Sequence, residues 1–436
     1  MGSKITIYPW RILAVVFVFD CAVMPVMQVG GLPFKISYLI AFGSIALLLW
    51  NALLNERTAL NGAGKVLRPL TWYIVLQFLG QFWAMLFYEI SMDTEFWKIV
   101  IGSVLMLGSV YFGYKCKADI GKIAYWSFII NVVINCILAL LGEKAPAFLT
   151  NLYSIAVETY IDGYYRNGGM IGNPNATLLV TNMMLLLIIV LYKFDKIKLS
   201  NIKIASVYML SIAADIIVSS RGELLQTIGL LAYFTYLQVK KNPDVMKLLA
   251  RMLAVVGIIV LAMILFWGDI VEKYPNIEES WERMTSLADI MDTTAEDADI
   301  SSIARPFLRT DLFWSRFQHS PIWGTGIEGG SAHPDFVKGT TGYHNDFYMI
   351  LASTGIVGFL LWMSIIKHAV KKIGWCMLAP FVVTAISNTF VRSYFGTMIY
   401  FFIIGYVLYL QDASQNSQEP LRSEGNEKNN LFYRKP

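Results

Sequence analysis

Apolar runs of about 20 residues, the length an α-helix needs to cross roughly 30 Å of hydrocarbon, recur along almost the whole chain. They fall at residues 11–29, 35–54, 70–89, 97–114, 123–142, 175–192, 204–220, 222–239, 252–268, 345–366, 373–391 and 395–411. A chain patterned in this way has the bilayer as its solvent. Composition agrees, with 56% of 436 residues hydrophobic and 15% charged and a mean hydropathy of +0.53. The fold class expected is all-α: a polytopic integral membrane protein of about 12 transmembrane helices.

Short cytoplasmic loops carry an excess of Lys and Arg, which sets the orientation. With the N-terminus inside, every inside segment is basic. They hold Lys4 and Arg11; Arg57, Lys65 and Arg68; Lys115, Lys117 and Lys122; Lys193, Lys196, Lys198 and Lys203. Further along come Lys240, Lys241, Lys247 and Arg251, then Lys367, Lys371 and Lys372. The short outside segments hold only Lys35, Lys98, Lys144, Arg166, Arg221 and Arg392. Both termini are therefore expected in the cytoplasm, and the net charge of +4 reflects topology, with no nucleic-acid partner implied.

Four regions follow: helices 1–9 over 1–268, a large extracytoplasmic loop over 269–344, helices 10–12 over 345–411, and a polar tail over 412–436 expected to be disordered. The first apolar run contains Asp20 and leads into Gln28-Val29-Gly30-Gly31, without a small-residue cleavage pattern, so it reads as an uncleaved span. Cys21, Cys116, Cys136 and Cys376 show no CxxC and no metal-type spacing.

The large loop changes character along its length. Its first half is acidic, from Glu278 to Asp299. The second half carries Arg305, Arg309, Trp314 and Arg316, then Pro321-Ile322-Trp323-Gly324-Thr325-Gly326, and three of the chain's four histidines, His319, His333 and His344. A second outside loop, about 143–174, ends in Tyr164-Tyr165-Arg166-Asn167-Gly168-Gly169-Met170-Ile171-Gly172-Asn173-Pro174-Asn175, whose glycines and Asn-Pro mark tight turns where backbone approaches something closely. A third outside element, Ser219-Ser220-Arg221-Gly222-Glu223, is so short that Arg221 must lie at the outer interface. Arginine near hydrocarbon costs several kcal/mol unless it is paired or lines a wet cavity. Arginines converging from three segments imply an anion, and their forked donors suit phosphate oxygens. The plainer alternative is that each snorkels to headgroups or pairs with a local acid such as Glu223. His344 opens an apolar run at the outer face, where it could accept a proton from a hydroxyl; the plainer alternative is a capping or interfacial histidine. His319 and His333 lie inside the loop, where turn and packing roles fit.

Together these stretches resemble the O-antigen ligase/polymerase superfamily of membrane glycosyltransferases. The resemblance rests on Leu308-Arg309-Thr310-Asp311-Leu312-Phe313-Trp314, His319-Ser320-Pro321-Ile322-Trp323-Gly324-Thr325-Gly326, His344-Asn345 and Gly355-Ile356-Val357-Gly358. Upstream, Arg166 with Gly172-Asn173-Pro174-Asn175, and Ser220-Arg221-Gly222, resemble two earlier motifs in the same order. The similarity covers roughly residues 160–360. It implies a GT-C-like, metal-independent inverting transferase in the bacterial inner membrane, without a cofactor, acting on undecaprenyl-diphosphate-linked glycan at the outer face. It also implies membrane lipid as a neighbour and a flippase and a chain-length regulator as candidate partners. Arg221 and Arg309, with Arg166 and Arg305, match diphosphate-binding positions, and His344 matches the residue that activates the acceptor hydroxyl. Trp314, Trp323, Tyr343 and Asn345 are candidate sugar contacts, although aromatics at an outer interface also serve as membrane anchors. Polymerisation of repeat units is favoured over ligation of a finished chain to lipid A-core or another acceptor.

The rival class is a transporter or polysaccharide flippase. Such folds carry internal repeats, and the two halves of this sequence show none. Asp20 and Asp215 lie within spans, where they read either as ion-coupling acids or as partners of polar neighbours such as Ser211 or Ser219. A reporter active only outside the cytoplasm, fused within 285–300, should be active; activity of a cytoplasmic reporter there instead would invert the position of every candidate residue.

Overall fold

The computed structural model describes residues 7–29, 32–54, 62–141, 145–153, 159–161, 164–166, 169–171, 174–218, 220–241, 265, 268, 310–327, 345–384 and 394–416. Helices α1 (Ile7–Ala22), α2 (Ile36–Leu53), α3 (Gly64–Tyr88), α4 (Thr94–Lys115) and α5 (Gly121–Leu141) come first. A short α6 (Ala147–Tyr153) precedes α7 (Pro174–Lys193), α8 (Asn201–Val218) and α9 (Arg221–Lys241). Then come α10 (Thr310–Phe317), α11 (Asp346–Ile373), α12 (Ala379–Thr384) and α13 (Tyr394–Asn416). Among the described residues, eight helices are long and apolar enough to cross a membrane: α2, α3, α4, α5, α7, α8, α11 and α13. α1 is shorter, at 16 residues, and α9 carries Arg221, Glu223, Lys240 and Lys241 at its ends. The run expected at 252–268 lies outside the described residues apart from 265 and 268.

Three sequence boundaries move. The first helix ends at Ala22, where the run was expected to continue to 29, and Met27–Val29 pairs with Leu32–Phe34 as a two-stranded antiparallel hairpin, β1 and β2. A second hairpin, β3 (Thr159–Ile161) with β4 (Tyr164–Arg166), sits in the 143–174 loop, so the helical fold carries two small strand pairs. The last helix continues to Asn416, five residues into the stretch 412–436 expected to be tail.

α4 and α13 are the closest pair. A Cβ on Gly113 would sit 2.3 Å from the Phe402 carbonyl oxygen, and one on Gly405 would sit 2.0 Å from that of Val110. Small residues thus let two backbones touch where lipid offers no hydrophobic drive for association. Trp362 of α11 is fully buried against Tyr73, Phe381 and Phe401. α2 and α3 turn Leu39, Trp50, Leu79, Phe82 and Leu86 outward, as lipid-facing helices do.

The C-terminal end of α1 and the N-terminal end of α2 complete one another. Lys35 donates to the main-chain oxygens of Asp20 (2.9 Å) and Cys21 (3.3 Å) in the last turn of α1, while Asp20 Oδ2 accepts from the Ser37 amide (2.7 Å) in the first turn of α2. A cation thus meets a helix C-terminus and an anion meets an N-terminus, each satisfying orphan backbone groups. The Lys35 ammonium also lies 4.4 Å from the Phe395 ring centroid of α13. Asp20 is therefore engaged in capping, which accounts for an acid in the first span without ion coupling.

The long helix α11 is broken at Gly355, whose φ of 64° and ψ of −168° only glycine adopts without strain. A break in hydrocarbon leaves donors and acceptors that only protein can satisfy, and the segment following α10 does so. Thr325 N and Gly326 N donate to the carbonyls of Ala352 (2.8 Å) and Ser353 (3.2 Å) just before the break. Ile356 N and Val357 N, just after it, donate to Pro321 O (2.9 Å) and Ile322 O (3.3 Å). The Pro321–Gly326 motif is thus a patch on a broken helix, and the Gly355–Gly358 motif is the break.

A Cβ at position 355 would lie 2.2 Å from Ile322 O, whereas Gly43, in α2, has nothing within 4 Å. Gly355→Ala should therefore lower stability by about 2 kcal/mol or more, and Gly43→Ala should be neutral or slightly stabilising. Thermal unfolding of the two variants in detergent checks this, and equal Tm values would remove the account of the break.

Candidate functional site

The candidate residues among those described fall into two groups at or near helix ends. The first is built on α7. Thr177 Oγ1 accepts from Ile171 N (3.3 Å), and Asn135 Oδ1 of α5 accepts from Met170 N (3.0 Å). These two side chains hold a 3-10 turn at Gly169–Ile171, directly before the Gly172-Asn173-Pro174-Asn175 stretch. Gly169 has φ +57°, and a Cβ there would lie 2.8 Å from Thr177 and 2.9 Å from Asn135. The close approach signalled by the glycines is thus to the protein's own polar core. The contacts continue inward: Asn135 Nδ2 donates to Asn131 Oδ1 (3.2 Å), Thr181 Oγ1 donates to the same oxygen (2.7 Å), and Asn131 Nδ2 donates to Ala22 O (2.6 Å).

The adjacent face of α7 holds the turn between α8 and α9. Ser220 Oγ donates to Asn175 Oδ1 (2.8 Å). Two turns further along α7, Asn182 Nδ2 donates to both the carbonyl oxygen and Oε2 of Glu223 (3.1 Å each), and Thr227 Oγ1 donates to Asn182 Oδ1 (2.7 Å). Glu223, Asn182 and Thr227 are all buried. Arg221 opens α9 and Arg166 ends β4, so α7 brings the turn before Arg221 to the helix that follows the Arg166 strand. Asp215 lies beside Thr227. Of the two neighbours expected from the sequence, Ser211 donates to Val207 O (2.7 Å), and Ser219 lies outside the described residues.

The second group lies where α10 meets the start of α11. Phe313 stacks on Tyr348 with centroids 4.6 Å apart, and Arg316 is buried at 4% exposure. Asn345 Oδ1 caps α11, accepting from Phe347 N (2.9 Å) and Tyr348 N (3.3 Å), so any sugar contact from Asn345 would be a donation from Nδ2. Trp314 and Trp323 are half exposed, at 51% and 53%. His319 packs its ring edge on Tyr88, whose hydroxyl donates to the His319 carbonyl oxygen (3.3 Å), in keeping with a packing role. Gln81 of α3 fastens the exit of this segment: Oε1 accepts from Ile327 N (2.7 Å), and Nε2 donates to Ser91 O (3.0 Å). On the outer loop, Tyr153 donates to Val23 O (2.9 Å), and burial pushes its phenol up to about 12. His344, His333, Arg305, Arg309 and Tyr343 lie outside the described residues.

Sequence reasoning named Glu223 only as an arginine's partner, where its side chain takes Asn182, and missed the rest of the inner support: Asn131, Asn135, Thr177, Thr181, Asn182 and Thr227. Its signal is present in the chain as i,i+4 pairs of polar residues inside apolar runs, 131/135, 177/181 and 223/227. Among the described residues no group of three or more His, Cys, Asp or Glu could hold a metal ion.

Residues 204–363 match a protein-family model described as O-Antigen ligase. The matched stretch runs from α8 into α11 and contains Arg221, Arg305, Arg309, Trp314, Trp323, Tyr343, His344 and Asn345; Arg166 lies upstream of it. No curated protein matches the chain.

Asn135→Leu strands the buried Met170 amide, at a cost of about 1–3 kcal/mol, and frees the turn before α7. The expected result is faster amide exchange at residues 169–171 and a lower Tm; unchanged exchange there would mean that the turn holds itself.

Proposed function

We propose that this chain, whose residues 204–363 match a family model described as O-Antigen ligase, belongs to the O-antigen ligase/polymerase superfamily and polymerises undecaprenyl-diphosphate-linked oligosaccharide repeat units on the outer face of the cytoplasmic membrane. The family match supports a transferase-like role in surface-polysaccharide assembly. The observation that carries the reading is the 2.8 Å bond from Ser220 to Asn175. It fastens the turn before Arg221 to the helix that follows Arg166, two segments far apart in sequence, as convergence of their guanidinium groups on one anion requires.

In this reading Arg221 and Arg309, with Arg166 and Arg305, hold the donor diphosphate. His344 takes the proton of the acceptor hydroxyl as that oxygen attacks the anomeric carbon. The bond from that carbon to the diphosphate oxygen breaks on the opposite side, inverting the centre, and undecaprenyl diphosphate leaves with its charge spread over the arginine forks. No metal is needed where arginines neutralise the leaving group. Trp314, Trp323 and Tyr343 offer faces for sugar rings. Termini on the cytoplasmic side, with this chemistry outside, complete the reading.

A second reading, ligation of the glycan to lipid A-core or another acceptor, is favoured by the family model's own description. Purified protein given donor alone separates the two: a ladder of lengthening products supports polymerisation, and product only when a distinct acceptor is added supports ligation.

Arg221→Lys and Arg309→Lys keep the charge and lose the bidentate fork, so both should lose surface polysaccharide; wild-type polymer in both variants would remove the clamp. His344→Ala should lower turnover by about 10²- to 10⁴-fold with normal membrane accumulation, while His333→Ala is mild. Wild-type turnover in His344→Ala would leave an interfacial histidine beside the Asn345 cap.

A further inference from the structure

We propose that Asn182 and Glu223, tied to Thr227, form a buried positioning lock that sets the rotation and height of α9 and so aims the turn carrying Arg221 at the donor. The inference rests on the donor-binding reading of Arg221.

One amide does the fastening. Asn182 Nδ2 reaches both the main chain and the side chain of Glu223, and Asn182 Oδ1 accepts a hydrogen bond from the Thr227 hydroxyl. The first two turns of α9 are thereby held at three points by a single residue of α7, a helix whose membrane-spanning window is 83% buried. Arg221 is two residues above Glu223, so a rotation of α9 about its axis would swing it directly. Ser220 and Asn175 fix the turn itself, leaving the lock to fix the helix beneath it.

Packing alone does not account for the choice of groups. Glu223 is 1% exposed and its Oε1 has no hydrogen-bond partner among the described residues. An apolar side chain of similar volume would avoid that cost inside a bilayer. A carboxylate kept there at such a cost fits a requirement for direction, because a hydrogen-bonded amide specifies an orientation that apolar contact does not.

The side-chain half of the lock can be inverted. Asn182→Asp removes the donor to both Glu223 oxygens; adding Glu223→Gln restores a side-chain donor–acceptor pair of opposite sense and leaves the Thr227 bond in place, while the main-chain oxygen of residue 223 stays without its donor. The readouts are Kd for undecaprenyl diphosphate in detergent and Tm. Asn182→Asp should weaken binding at least about tenfold, Thr227→Val, which is near-isosteric, by a smaller factor, and the double variant should bind at least about threefold more tightly than Asn182→Asp.

A lowered Tm with wild-type Kd in Asn182→Asp would overturn the lock and leave a structural bond. If that variant does not accumulate, wild-type Kd in Thr227→Val overturns it equally. Arg221→Lys, measured alongside, separates the two readings. Weak binding there with wild-type Kd in the lock variants sinks the lock alone, whereas wild-type Kd in Arg221→Lys sinks the donor-binding reading and the lock with it.

Discussion

Hydrocarbon offers no hydrogen bonds, so inside a bilayer every backbone group that leaves a helical ladder must find its partner in protein. The break at Gly355 and the 3-10 turn at Gly169–Ile171 are such departures, and each is matched group by group. The first is closed by four backbone bonds to residues 321, 322, 325 and 326. The second is closed by the side chains of Asn135 and Thr177. Irregular backbone therefore occurs in the described helical core where a second segment has been folded in to receive it. That coupling makes distant stretches of sequence into single structural units.

The same constraint explains the polar residues of α7. Lipid is as apolar as leucine, so burying leucine between helices fixes little about register, whereas one amide with defined donors and acceptors fixes rotation and height together. Thr177 and Thr181 face α5 and its turn, while Asn175 and Asn182 face α8 and α9. One rod thus sets two outer turns against each other. Elsewhere, as between α4 and α13, the helices meet through glycines, and no candidate site residue depends on that seam.

Much of this was legible in the chain. Apolar length marked helices at eleven of the twelve expected positions, in whole or in part, and glycine clusters marked both places where backbone approaches closely. What the glycines approach was not legible. At residues 324 and 355 the neighbour is the protein's own backbone, and at 326 it is the side chains of Gln81 and Ala84, so motifs read as functional are, in part, repairs to a broken helix. The end of α1 at Ala22 was hidden because Val23, Met24, Val26 and Met27 remain apolar while the chain turns into a hairpin. Apolar periodicity reports solvent and does not distinguish a helix from a short strand at the same interface. The inner polar support escaped because single Asn and Thr residues in a span look incidental until their partners, some 40 to 110 residues away, are known.

The two groups of candidate residues face the same side for a reason that can be traced at the other end of the helices. Lys193, the last residue of α7, donates from Nζ to the carbonyl oxygen of Ile373, the last residue of α11, and to the hydroxyl of Tyr233 in α9 (3.2 Å). With their C-terminal ends joined, α7 and α11 run parallel, and their first residues share the opposite face. Ser220 and Asn175 bring the start of α9 there as well. Three helix N-termini thus lie on one side, that of Asn345 and of the turn before Arg221, each carrying about half a unit of positive charge from its helix dipole. The C-terminal ends, with their negative partial charges, are collected on the lysine-rich side. A site for an anionic leaving group is then favoured by the direction in which the helices run, before any side chain contributes, and the arginine forks add geometry to a field already of the right sign.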